Sequence, residues 1–188
     1  PAFAGEPGAI DRAALAAEVR AEFLHAWNSY KQYAWNHDGL RPLSKTFYDW
    51  YSAPFYLTPL DALDTMILMG LKEEADSTRE YVARNLSFDK DVYVKHFEFT
   101  IRGLGGLLSS YQLTGDRRLL AGYTIAAAVL GDEPALAHAA ALLGAEAGAV
   151  ADDDAAVTEP VASSVGVSKY VPPVARTENQ FVSVSREK

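Results

Sequence analysis

Cysteine is missing from the sequence, which excludes disulfides, thiolate metal ligands and a cysteine nucleophile. The absence leaves the compartment open, because many exported bacterial proteins also lack cysteine. Basic charge is scarce as well: 17 Lys and Arg face 25 Asp and Glu, for a net charge of −8. Neutralising a nucleic-acid backbone takes clustered Lys and Arg, so no nucleic-acid partner is expected. No apolar run approaches the roughly 18 to 20 residues that cross a bilayer, so no membrane span is expected either. The four histidines, His25, His37, His96 and His138, lack the spacing with Glu that a zinc protease uses. Gly103-Leu104-Gly105-Gly106 lies inside a helical pattern and not between a strand and a helix, so it is no phosphate loop. Serine nucleophile patterns are absent. Asp152-Asp153-Asp154 lacks the glycine and the distal Glu of an EF-hand loop and reads as a solvated acidic turn. What remains is carboxylate chemistry.

What is there fits one globular domain. The chain has 188 residues, 49% of them apolar and 22% charged, enough to bury a sizeable core. From Ile10 to Trp35 the positions Ala14, Leu15, Val19, Phe23, Ala26, Trp27, Tyr30 and Tyr33 recur at helical spacing, which predicts a long first helix. Asn36-His37-Asp38-Gly39 breaks it, and Arg41-Pro42 keeps the chain extended. Phe47 to Tyr56 carries six aromatics without a period; it reads as a loop that either caps a core or lines a sugar site. Thr58-Pro59 supplies an N-cap and an N1 proline for a second helix with Asp61 and Asp64 early in it, where a carboxylate suits the macrodipole. A third helix spans about Lys72 to Asn85, with Ala75, Val82 and Leu86 inward, and Ser87 to Asp91 breaks it.

The most informative stretch runs from Val94 to Tyr111. On a continuous helix, Val94, Phe97, Ile101, Leu104, Leu108 and Tyr111 share one arc and form a core-facing stripe. Beside it lies an arc of Glu98, Arg102, Gly105 and Ser109. Glu98 and Arg102 stand at i,i+4, so a carboxylate and a guanidinium meet on neighbouring turns with small residues beside them. Spacing alone allows an ordinary helical ion pair or a candidate acid at the margin of an apolar stripe. Thr114-Gly115-Asp116 ends this helix and caps the next.

After about Leu120 the composition shifts. Residues 121–157 contain fifteen alanines, and eighteen of the 21 aromatics lie at or before Tyr111, so the later part has little with which to build a large core. Alanine's propensity predicts a helical hairpin around Gly131-Asp132. The expected division is a helical domain over 8–150 and an acidic linker with an irregular tail over 151–188, within which Gln180 to Ser185 could form a strand.

Three blocks resemble glycoside hydrolase family 47, the class I α-1,2-mannosidases. They are Trp27-Asn28-Ser29-Tyr30-Lys31-Gln32-Tyr33-Ala34-Trp35-Asn36-His37-Asp38 with Arg41-Pro42-Leu43-Ser44-Lys45; Asp61-Ala62-Leu63-Asp64-Thr65-Met66; and the Phe-Glu-x-Thr-Ile-Arg-x-Leu-Gly-Gly-Leu-Leu-Ser-x-Tyr pattern from Phe97 to Tyr111. The likeness covers about residues 19–120, the N-terminal portion of the family's catalytic domain. Phe99 stands where relatives often carry Ser. The family's later carboxylates, one of them its general base, find no match after Leu120. The resemblance implies an all-α fold of paired antiparallel helices, part of an (α/α)₇ barrel, and inverting removal of terminal α-1,2-linked mannose from oligosaccharides. It implies Glu98 as catalytic acid and Arg102 as a substrate contact, with Asp38, Asp61 and Asp64 near the sugar. The base would come from one of those three or from the C-terminal half. Calcium is implied as cofactor, with its ligands unknown. The alternative is a non-catalytic mannose-glycan-binding protein on the same scaffold; a helical interaction module is the third reading. An incomplete ring with an exposed apolar face would favour self-association. Ala2-Phe3-Ala4 with Gly5-Glu6-Pro7 resembles the remnant of a signal-peptidase site and favours an exported or periplasmic location, the cytoplasm remaining open.

Overall fold

The computed structural model describes residues 11–151 and 181–184. Helix α1 (Arg12–Tyr33) begins at Asp11, whose carboxylate accepts the backbone N–H groups of Ala13 and Ala14. Only its C-terminal half packs: Trp27 and Tyr30 are buried, while Leu15 and Val19 are about half exposed. The helical spacing of Ala14, Leu15 and Val19 therefore gives the helix as expected, but its face there stays largely exposed. A short hairpin follows, β1 (Gly39–Arg41) against β2 (Thr46–Tyr48), so the start of the aromatic segment is strand and not loop.

Helix α2 (Leu57–Leu68) starts one residue before Thr58. Thr58 is consequently not its N-cap; its hydroxyl donates to the backbone carbonyl of Asp38 at 2.6 Å. The residue preceding the helix, Tyr56, sits in the left-handed region at φ 58°, an uncommon conformation for a bulky side chain. Gly70, at φ 70°, turns the chain into α3 (Lys72–Asn85), and α2 packs on α3 as the first helix pair. Of the residues expected inward on α3, Ala75 and Val82 are buried, and Leu86 packs half-buried on the core.

The predicted continuous helix from Val94 is interrupted. Val92–Lys95 is a strand, β3; α4 (His96–Phe99) then runs through a π-helical turn at Thr100–Leu104 into α5 (Gly105–Thr114). The Gly105 N–H bonds to the Thr100 carbonyl, five residues back. The inserted residue shifts the helical phase. Phe97 and Ile101, expected inside, are 67% and 49% exposed, whereas Phe99 and Leu107 are 1% exposed. Phe99 meets Phe55 and Phe88 at centroid distances of 4.9 and 5.7 Å. Its ring lies where a Cβ on Gly103 would come within 2.8 Å, so this packing requires glycine there.

Gly115 (φ 69°) and Asp116 make the corner to α6 (Arg117–Leu130), and Gly131 makes the corner to α7 (Glu133–Ala151). Short connections fold α5, α6 and α7 back on one another as paired antiparallel helices. The alanine-rich α6 contributes more to the core than its single aromatic suggests: Leu119, Leu120, Tyr123 and the run Ala126–Leu130 are buried. Small side chains let helices approach closely, so burial here does not need large rings. Strand β4 (Phe181–Val184) pairs antiparallel with β3, Val92 opposite Val184 and Lys95 opposite Phe181, which gives the strand expected near Gln180–Ser185 its partner. The N-terminal Ala2-Phe3-Ala4 and the acidic Asp152–Asp154 lie outside the described residues. No helix among the described residues is long and apolar enough to cross a membrane.

Candidate active site

Arg102 is the hub. Its Nε donates to Glu98 Oε2 at 3.1 Å along the helix, and its Nη1 donates to Asp61 Oδ2 at 2.5 Å across to α2. Above the guanidinium lies the Trp50 indole, 4.7 Å from Cζ to the ring centroid, a cation–π distance. Glu98, Arg102 and Asp61 keep 27%, 30% and 35% of their side-chain surface in solvent, so a ligand can reach them. One turn on, Ser109 donates to Asp64 Oδ2 at 2.9 Å, and Thr65 donates to Asp64 Oδ1 at 3.3 Å. The polar arc expected on the helix thus exists and faces α2. Asp61 and Asp64 are engaged by that arc, beyond any dipole role.

The close approach of the two helices depends on Gly106. A Cβ there would stand 3.0 Å from Leu60 Cγ and 3.1 Å from the Leu60 carbonyl, so any side chain would press the two helices apart by a few tenths of an ångström. Gly105, by contrast, faces open space apart from the Thr100 carbonyl. It leaves room beside Glu98 and Arg102.

Asp38 does not reach this surface. It is 1% exposed, and its carboxylate accepts three backbone N–H groups: Trp50 at 3.1 Å, Phe55 at 2.7 Å and Leu57 at 3.2 Å. Its own N–H donates to Asp49 Oδ1 at 2.9 Å, and Asp49 also holds His37 Nδ1 at 3.0 Å. The breaker cluster and the aromatic segment therefore form one unit, laced by carboxylates. Of the five residues that the resemblance implies, Glu98, Arg102 and Asp61 are joined directly, Asp64 is adjoined through α2 and Ser109, and Asp38 lies beneath the loop.

The electrostatics follow from this crowding. Desolvation pushes the Asp61 carboxyl above its ordinary value; Arg102 opposes that, and the neighbouring charges of Asp64 and Glu98 add to it. Desolvation works against the Arg102 cation, but its bonds to Asp61 and Glu98 outweigh it and hold the group firmly protonated. Nearby, Lys90 donates to the Pro54 carbonyl and lies over the rings of Phe55 and Tyr56 at 4.5 and 5.3 Å. Burial lowers its pKa from the ordinary value. No group of three or more His, Asp or Glu among the described residues is arranged to hold a metal ion. Among the described residues, then, no such carboxylate group stands ready for the calcium that the resemblance implies.

Trp50 is the site residue that motif spacing does not reveal. The signal for it was the aromatic segment itself: Phe55 is fully buried in the core, and Trp50, 37% exposed, lies over Arg102.

Over 98 residues the chain is 54% identical to the endoplasmic reticulum mannosyl-oligosaccharide 1,2-alpha-mannosidase of Rattus norvegicus, a match covering 52% of this chain and 15% of that protein. It is 46% identical over 103 residues to mannosyl-oligosaccharide 1,2-alpha-mannosidase MNS1 of Arabidopsis thaliana, covering 55% and 18%. The solved alpha-1,2-mannosidase from Trichoderma reesei superposes with a TM-score of 0.52 at 32% identity, over 65% of this chain and 26% of that one. The chain thus spans less than a fifth of the length of these curated relatives. The model of glycosyl hydrolase family 47 matches residues 22–142, continuing past Leu120 through α6 into α7, so the alanine-rich helices share the family's pattern. With that match taking in the loop, the Arg102 hub and both flanking carboxylates, the chain belongs to glycosyl hydrolase family 47.

Proposed function

We propose that this chain carries the acid arm of an α-1,2-mannosidase site, with terminal α-1,2-linked mannose of an oligosaccharide as the substrate group. The observation that supports it is the solvent-reachable bridge from Glu98 through Arg102 to Asp61. Family membership supports the same reading.

Inverting hydrolysis needs one carboxylic acid to protonate the leaving oxygen and a separate carboxylate to activate water. Glu98 is the acid in this reading. Arg102 orients both Glu98 and the sugar hydroxyls, with Asp61 holding the guanidinium from the far side. The indole of Trp50 offers an apolar face beside them. Asp38 is engaged with backbone and Asp64 with Ser109 and Thr65. In this reading the base comes from outside these two carboxylates. The compartment in the rat relative's name, the endoplasmic reticulum, supports an exported location for this protein.

A second reading is a mannose-binding protein without turnover: Asp38, Asp61 and Asp64 are each engaged by backbone N–H groups, Arg102 or Ser109 and Thr65. Incubation of the full chain with α-1,2-mannobiose, with and without added calcium, beside Glu98→Gln separates the two. Turnover by the parent and loss of it in the variant supports the acid role, and equal turnover by both overturns it. Saturable binding without turnover by either supports the second reading.

A further inference from the structure

The Arg102 hub is held from above by Trp50, and Trp50 is held from below by Asp38. Trp50 follows Asp49, ahead of a segment that ends in the left-handed Tyr56. Asp38 ties both ends of that segment. One carboxylate oxygen accepts the Trp50 N–H; the other accepts the N–H groups of Phe55 and Leu57, which flank Tyr56. Its backbone carbonyl accepts the N–H and hydroxyl of Thr58 at 3.2 and 2.6 Å. A buried carboxylate with three N–H donors is fixed firmly, because these are charge-assisted bonds in a dry setting. Backbone strain such as that at Tyr56 persists only where surrounding structure over-determines it.

We propose that Asp38 is a positioning residue, acting through the backbone of Trp50 and its indole on Arg102, and so on the bonds that Arg102 makes to Glu98 and Asp61. The inference rests on the reading of this cluster as the sugar site, but the geometry it predicts is measurable without turnover. An isosteric amide at position 38 would turn an N–H₂ toward backbone N–H groups and break at least one end of the tie. The ring of Trp50 would then leave the guanidinium, and Arg102 would exchange its Nε proton more freely.

The test is proton exchange at Arg102 Nε–H in the ¹⁵N-labelled full chain, the resonance being assigned by its loss in Arg102→Lys. In Trp50→Leu the exchange should quicken about fivefold or more, the factor that a typical cation–π contact corresponds to. Trp50→Phe, which keeps an aromatic face, should restore most of the protection. Asp38→Asn should quicken exchange in the same way while circular dichroism shows the helices intact. Unchanged protection in Trp50→Leu overturns the clamp, and unchanged protection in a folded Asp38→Asn overturns the relay. Should Asp38→Asn fail to fold, native-state exchange of the parent chain decides. The Trp50 amide and Arg102 Nε–H opening in one step, with one denaturant dependence, supports the relay; independent opening overturns it. Failure of mannobiose to bind, with these exchange results intact, would count against the sugar-site reading alone.

Discussion

Arg102 hydrogen-bonds to Asp61, 41 positions earlier in the chain, at 2.5 Å. A pair that reads along the helix as Glu98 with Arg102 is in three dimensions a carboxylate–guanidinium–carboxylate bridge between α2 and the π-turned helix. That bridge makes the site acidic, crowded and sensitive to pH.

Asp61 should leave a pH signature. Its folded pKa lies above the ordinary 3.8, so between the two values the folded state binds more protons than the unfolded one. Stability from this group is then fully present below about 3.8 and declines as pH rises through the folded value. Asp61→Asn should remove that decline. Urea unfolding of parent and variant across pH 3 to 7 checks it: the parent should lose stability relative to the variant as pH rises through that window.

The π-turn makes opposite predictions for neighbouring phenylalanines. Phe99→Ala should cost about 3 to 5 kcal/mol, the usual range for emptying a buried aromatic site. Phe97→Ala should stay within about 0.5 kcal/mol, as exposed substitutions do. Chemical denaturation of both variants measures this, and an uninterrupted helix with Phe97 inside would invert the order.

Asp116 caps α6 through the Arg118 N–H at 3.0 Å and pairs with the Arg118 and Arg79 side chains. The hydrogen bond from Arg118 leads the causes that hold its carboxyl below the ordinary range. Asp116→Ala should cost about 1 kcal/mol at neutral pH, typical of a lost cap. Because the folded pKa is the lower one, this stabilisation is complete above about 3.8 and is lost as pH falls through the folded value. The gap between parent and variant in thermal midpoint should therefore close in acid.

Local features of this protein were legible in its sequence, and tertiary ones were not. The i,i+4 spacing of Glu98 and Arg102, the Gly115-Asp116 corner and the Gly131 hairpin depend on residues within one or two turns, and each forms as the spacing implies. The stripe through Phe97 and Ile101 failed because the stretch is a strand, a short helix and a π-turn rather than one regular helix, and Phe99, packed on Phe55 and Phe88, takes the inward place. The burial of Asp38 followed from bonds to residues 12 to 19 positions away. Trp50 over Arg102 joins residues 52 positions apart, and the β3–β4 pairing joins strands nearly ninety positions apart. Neither contact leaves a periodic trace. Asp61 was marked by the family pattern, but its bond to Arg102 required the packing of α2 against α5 that Gly106 permits.

In the proposed reading, mannose meets the protein at Glu98, Arg102 and Asp61. Titration of the ¹⁵N-labelled chain with α-1,2-mannobiose, followed at the Arg102 Nε–H and Trp50 indole N–H resonances, tests it most directly. Both signals should shift saturably with a common dissociation constant, and the Trp50 shift should be lost in Arg102→Met. Binding that leaves both resonances unmoved, or no binding at millimolar sugar, would contradict it.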